Sequence, residues 1–179
     1  MLLTNNLLDS NQEPYRRQMT SYRRTRAAIL EATKKLIVTH GLQITSMIEI
    51  ADTAEVSRAT LYNHFRSKES VMQALLEFEI SRILECAESE SSPASALARI
   101  SIEISTDPAL ATMREYDPAL LSQLLSGGKD PLWQLVHASL VQLLQSTTKV
   151  ELALRWLIGQ VFAPLTSEQS AVAAGVITA

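Results

Sequence analysis

The sequence holds a single cysteine, Cys86, in 179 residues. One thiol forms no internal disulfide, so nothing demands an oxidising compartment, and cysteine-cluster metal sites are excluded. Aromatic residues make up 5% and glycines number five, which leaves little material for turn-rich β architecture. No run approaches the roughly 18 continuous apolar residues of a membrane span. The mildly apolar start, residues 1–8, lacks a basic n-region and does not read as a signal peptide. The expected location is therefore the cytoplasm, with no membrane partner. Glycine-rich phosphate loops, a nucleophile elbow and an H-x-x-x-H pair are missing as well. Cys86, the serines and the three histidines (His40, His64, His137) thus stand outside any recognisable catalytic pattern. No enzyme, catalytic residue, metal or cofactor is expected.

What is present is an ordinary globular composition, 46% apolar and 20% charged, with a net charge of −3. The charge is unevenly spread. Residues 1–70 carry ten Lys/Arg against seven Asp/Glu, and residues 71–179 carry six against twelve. A basic head on an acidic body is what a chain that meets a polyanion with one end would show.

Residues 1–20 lack clear periodicity and are expected to form a flexible arm. From Ser21 the pattern turns helical: Ala28, Ile29, Ala32, Leu36 and Ile37 share one face. Gly41 then stops the helix in a left-handed conformation. Ser46-Met47-Ile48-Glu49 is a capping box that opens a short helix over 47–53. Ser57 caps a second, over 58–64. Two short helices joined by Ala54, Glu55 and Val56 have helix-turn-helix spacing. Ser67 opens a long apolar fourth helix that closes near 89–92. Further on, Ser92-Pro93, Asp107-Pro108, Asp117-Pro118 and Asp130-Pro131 each set an N-cap residue before a proline, which predicts four helix starts. Gly127-Gly128 breaks the chain between the last two. Helices follow over 131–145 and 149–162, stopped by Pro164, with a last one from about Ser167. The expected fold is all-α: a three-helix helix-turn-helix head (21–66) joined by a long fourth helix to a helical bundle body (67–179).

The run Ile50-Ala51-Asp52-Thr53-Ala54-Glu55-Val56-Ser57, followed by Leu61-Tyr62-Asn63-His64-Phe65 and Ser67-Lys68-Glu69, resembles the tetracycline-repressor (TetR) family. The resemblance spans residues 23–76. It implies a DNA-binding regulator, by family habit a repressor, that grips a near-palindromic double-stranded operator as a homodimer and is released by a small-molecule effector. The alternative is a DNA-binding regulator or architectural protein without a ligand. The second short helix begins with Arg58, Ala59 and Thr60 behind the Ser57 cap, and by resemblance these read base edges. Arginine can bond guanine O6 and N7 together, and threonine offers a hydroxyl and a methyl. Tyr62 and His64 resemble phosphate-touching residues, and Asn63 can donate in the same way. Lys68, at the start of the fourth helix, combines an ammonium with free N–H groups and a helix dipole, a phosphate-site chemistry. Thr45 and Ser46 are similarly placed before the first short helix. Arg23, Arg24 and Arg26 either reach the DNA backbone or minor groove or form a loose basic arm. Leu61, Phe65, Ile50, Ala51, Ala54 and Val56 belong to the head's core, and Ile48 is expected to pack. Glu55 stands where the family turn often has glycine. It takes either a left-handed conformation or a shifted turn.

In the body, the apolar residues of 131–145 and 149–162 encircle their helices, as in a deeply buried or interfacial element. Leu140, Leu144, Trp156, Leu157, Val161 and Phe162 are the interface candidates, with the monomer core as the other reading. A ligand pocket between the middle helices would draw on Met113, Tyr116, Leu121, Leu124, Trp133 and His137, which plain core packing would also explain.

Overall fold

The computed structural model describes residues 12–125 and 131–179. The expected arm residues before 12, the Gly127-Gly128 break and the Asp130 cap lie outside them. The described residues form ten helices and no strand: α1 (Gln12–His40), α2 (Met47–Thr53), α3 (Arg58–His64), α4 (Lys68–Glu88), α5 (Pro93–Thr106), α6 (Pro108–Tyr116), α7 (Pro118–Leu125), α8 (Pro131–Leu144), α9 (Thr147–Phe162) and α10 (Ser167–Thr178). The all-α architecture is as expected.

Local chemistry sets most of these boundaries. Ser46, Ser57, Ser67, Ser92, Ser146 and Thr166 each accept a backbone N–H at a helix start, satisfying donors that the helix itself leaves free. Asp107 does so twice, for Ala109 and Leu110. Prolines stand first in α5, α6, α7 and α8, where a missing N–H costs nothing.

One boundary differs. Residues 12–20, expected in the arm, continue α1 by more than two turns. This stretch has no apolar face to bury, and residues 16–24 are exposed. Its Glu, Gln, Arg and Met are good helix formers, and Pro14 falls in the first turn, where its absent N–H is harmless. Propensity, not periodicity, extends the helix.

One hydrophobic cluster builds on Ile29, Leu30, Ile50, Leu61 and Val71 from α1–α4 and runs on through Met113, Leu121 and Val161 of α6, α7 and α9. A second gathers Leu97, Ile100, Leu140, Val150 and Ala174 from α5, α8, α9 and α10. Ser101, Gln160 and Ser170 are buried between α5, α9 and α10. The Ser101 hydroxyl bonds the Gln160 amide oxygen, its distance to Ser170 Oγ is 2.7 Å, and Ser105 donates to Gln160 at 3.0 Å. Thus the polar atoms of that seam are paired, as burial requires.

The loop between α1 and α2 is held from two sides. Gly41 ends α1 at φ +87°, and a Cβ on it would lie 2.8 Å from Asp117 Oδ2. Glycine is required there twice over, for the left-handed backbone and for the carboxylate's approach. Asp117 is 5% exposed. It accepts from the Leu42 N–H at 2.6 Å and from the Gln43 N–H at 3.3 Å. From the other side, Lys68 Nζ donates to the carbonyls of Leu42 (3.1 Å), Gln43 (3.2 Å) and Thr45 (3.0 Å). A body carboxylate takes the loop's donors while an α4 ammonium takes its acceptors. Thr112 of α6 adds a bond to the Val38 carbonyl at 3.1 Å.

Candidate nucleic-acid interface and cavity

Both short helices are anchored at their starts. Ser46 N donates to Glu49 Oε2 at 2.9 Å, and Glu49 N donates to Ser46 Oγ at 3.3 Å, the reciprocal capping box. The Ser46 hydroxyl and then its N–H hold the Glu49 carboxyl below its ordinary range. Ser57 Oγ accepts from Thr60 N at 3.0 Å and lies 2.8 Å from Thr60 Oγ1.

The turn between them resolves the alternatives at Glu55 in favour of the left-handed one, φ +54°. Glu55 N donates to the Asp52 carbonyl at 3.2 Å, and Val56 N to the Ala51 carbonyl at 3.0 Å. These two bonds, with the left-handed residue between Ala54 and Val56, make a Schellman cap. A side chain at such a position is strained by about 1 kcal/mol or more. Glu55→Gly is accordingly expected to raise stability by about 1 kcal/mol, read as a higher urea midpoint. Glu55→Val should lower it.

Buried Leu61 seats α3 on the core. Arg58, Ala59, Tyr62 and Asn63 are left exposed, with Thr60 half-buried. The helix therefore presents one outward rim of a guanidinium, a methyl, a phenol and an amide, beginning at its N-terminus. His64 is less free. Its ring stacks on Tyr22 at 4.2 Å, and its Nδ1 is buried without a hydrogen-bond partner. Burial first, then the charge of Arg26, lowers its pKa from the ordinary histidine value. Arg26 itself lies 5.5 Å over the Phe65 ring.

Three expectations change. Thr45, expected to face DNA, is buried, and its hydroxyl donates to the Gly41 carbonyl at 2.8 Å. Lys68, expected to bind phosphate, spends its ammonium on three loop carbonyls, so it positions the loop. Ile48, expected to pack, is 46% exposed on α2, and Ile44 just before it is 69% exposed. The signal for this pair was available in the register: Ile50 and Ala51 already fill the buried face of so short a helix.

Below the head, a cavity of about 180 Å³ lies among α1 and α4–α9. Four of the pocket candidates line it: Met113, Leu121, Leu124 and Trp133. Tyr116 does not, being 62% exposed, and His137 is exposed on α8. Their helices turn those positions outward. Among the residues missed are Lys34 and Ile37 of α1 and the row Leu76, Glu79, Ile80 and Ile83 of α4, whose pairing across so many residues no local pattern reveals.

A model described as bacterial regulatory proteins, tetR family, matches residues 29–75. Over these residues the head is similar to that family. It is similar to the HTH-type transcriptional regulator TtgR of Pseudomonas putida, 37% identical over 62 residues, 35% of this chain and 30% of that protein. It is also similar to YvkB of Bacillus subtilis, 41% identical over 54 residues, 30% of this chain and 29% of that one. The chain thus spans under a third of the length of these curated relatives. The TetR-type fold extends further. The chain superposes on the TetR family repressor AlkX of Dietzia with a TM-score of 0.59 at 20% identity, covering 86% of this chain and 92% of AlkX. Salmonella enterica GusR gives 0.57 at 22% identity, covering 84% and 86%. Among the described residues, no helix is long and apolar enough to cross a membrane.

Proposed function

We propose that this protein is a cytoplasmic DNA-binding transcriptional regulator. In this reading it is a repressor that holds a near-palindromic operator as a homodimer and leaves it when a small molecule fills the cavity. The observation that carries the reading is the exposed rim of α3, where Arg58, Ala59, Tyr62 and Asn63 stand on a helix capped by Ser57 and seated by buried Leu61. A helix fits the major groove, and its first side chains meet base edges. Arg58 and Thr60 read bases, while Tyr62, Asn63 and the outer edge of His64 reach phosphate. Ile44 and Ile48 supply apolar surface for thymine methyls.

The interface between copies is revised from the residues expected. Leu140, Leu144, Leu157 and Val161 are buried within one chain, and Trp156 packs against the second core. Phe162 keeps its place in the interface, joined by Leu152 of α9 and by Val172 and Val176 of α10, the last 75% exposed. An outward apolar face of this kind suits a two-fold contact.

Selection of bound genomic fragments by the purified protein, followed by anisotropy titration at two salt concentrations, tests the reading. A single palindromic site is expected, with affinity falling steeply as salt rises. No enrichment, or salt-insensitive binding, would remove it.

A further inference from the structure

The charged groups beside the cavity form a closed set. Lys34 Nζ lies 2.7 Å from Asp107 Oδ2 and 2.8 Å from Glu79 Oε2. Glu79 also meets Arg82 at 3.1 Å, Arg82 meets Glu103 at 2.9 Å, and Glu103 meets Arg99 at 2.8 Å. Three cations alternate with three anions, so the chain of pairs is neutral. Burial works to lower the pKa of Lys34, but its two carboxylates outweigh that and hold it above its ordinary value. The ammonium stays charged and already occupied. Lys34, Glu79 and Asp107 line the cavity, yet among the described residues polar atoms form almost none of its surface. The wall is otherwise Leu, Ile, Met, Val and Trp.

We infer that the effector is a small uncharged hydrocarbon-like molecule, an alkylbenzene or a compact alkane or alkene, and that carboxylates, amines and phosphorylated compounds are rejected. The inference rests on the effector-release reading above and names its ligand class. An ionic group lodged against this wall would give up its hydration with no free partner among the described residues. It could recover that loss only by breaking a pair that is already satisfied, which leaves another charge buried alone. A neutral apolar guest loses nothing by entering. In size, a dry apolar cavity of about 150 Å³ holds one benzene, so about 180 Å³ suits a guest slightly larger. Most ligand sites fix orientation with a few polar groups. This one discriminates by charge and volume.

The test uses the full chain and three probes of one shape: ethylbenzene, phenylacetate and 2-phenylethylammonium, titrated by calorimetry. Ethylbenzene is expected to bind at least about tenfold more tightly than either ion. Leu124→Trp and Ile83→Trp, each checked for cooperative thermal unfolding, fill the space and should abolish that binding. Glu79→Gln leaves one uncompensated positive charge at the wall and should shift the preference toward phenylacetate. Equal or tighter binding of either ion to the parent, no binding of ethylbenzene, binding that survives in both tryptophan variants, or an unchanged ratio in E79Q would overturn the inference. Operator affinity measured with and without ethylbenzene reads the other claim separately. Ethylbenzene bound in the cavity with DNA affinity unchanged keeps the ligand class and removes the release mechanism.

Discussion

Asp117→Ala is expected to lower stability by about 3 kcal/mol, the sum of two hydrogen bonds to a charged acceptor at about 1.5 kcal/mol each, and to weaken DNA binding with it. Asp117 is buried and receives the Leu42 and Gln43 N–H groups. Alanine would leave both donors unpaired, the Leu42 N–H in a buried setting. Asp117→Asn should recover part of the loss, since one amide oxygen can still accept while its NH₂ faces the wrong partners. Urea unfolding checks the first effect through the midpoint, with an unchanged slope showing that only stability moved. An alanine variant as stable as the parent would mean that water replaces the carboxylate and that the loop is not held from the body.

Arg58→Ala is expected to act on DNA and on nothing else. Operator affinity should fall by about 1–3 kcal/mol, and discrimination at one guanine position should disappear. The side chain is exposed, so stability should stay within about 0.5 kcal/mol of the parent. Binding measured against a set of single-base operator variants separates this from a phosphate contact, whose loss would weaken all sequences alike and reduce the salt slope by about 1. Unchanged affinity and unchanged discrimination would remove α3 as the reading helix.

Much of the head was legible in the sequence because its devices are local. The Ser46–Glu49 and Ser57–Thr60 pairings join residues three apart, and Gly41 stops α1 within one residue of where its type demands. The start of α1 was not legible, since exposed helix held by propensity leaves no apolar period to read. Asp117 reads in sequence as a cap before Pro118. Its carboxylate instead serves Leu42 and Gln43, some 75 residues earlier, a pairing that only tertiary packing creates. The fate of Lys68 was hidden for the same reason. At the C-terminal end the sequence could not separate core from interface: α8 and α9 are apolar all round, and whether Leu157 or Leu152 faces outward depends on how α5 and α10 are laid against them. Of the cavity, α7 and α8 contributions were visible as apolar residues, whereas the neutral row from Lys34 to Arg99 draws on α1, α4, α5 and the Asp107 cap.

The length of α1 gives it two unlike ends. At about 1.5 Å per residue, its 29 residues make a rod of about 43 Å. Ile29, Leu30 and Ile37 bury its C-terminal half completely or nearly so, and amide hydrogens there exchange with solvent only when the whole molecule opens. Over residues 16–24 the same helix is exposed and rich in arginine, close to the balance between helix and coil where short segments sit in water. Hydrogen exchange should therefore rise steeply along a single unbroken element. A row of phosphates beside Arg16, Arg23 and Arg24 would slow exchange at the outer end while leaving the inner end as it was.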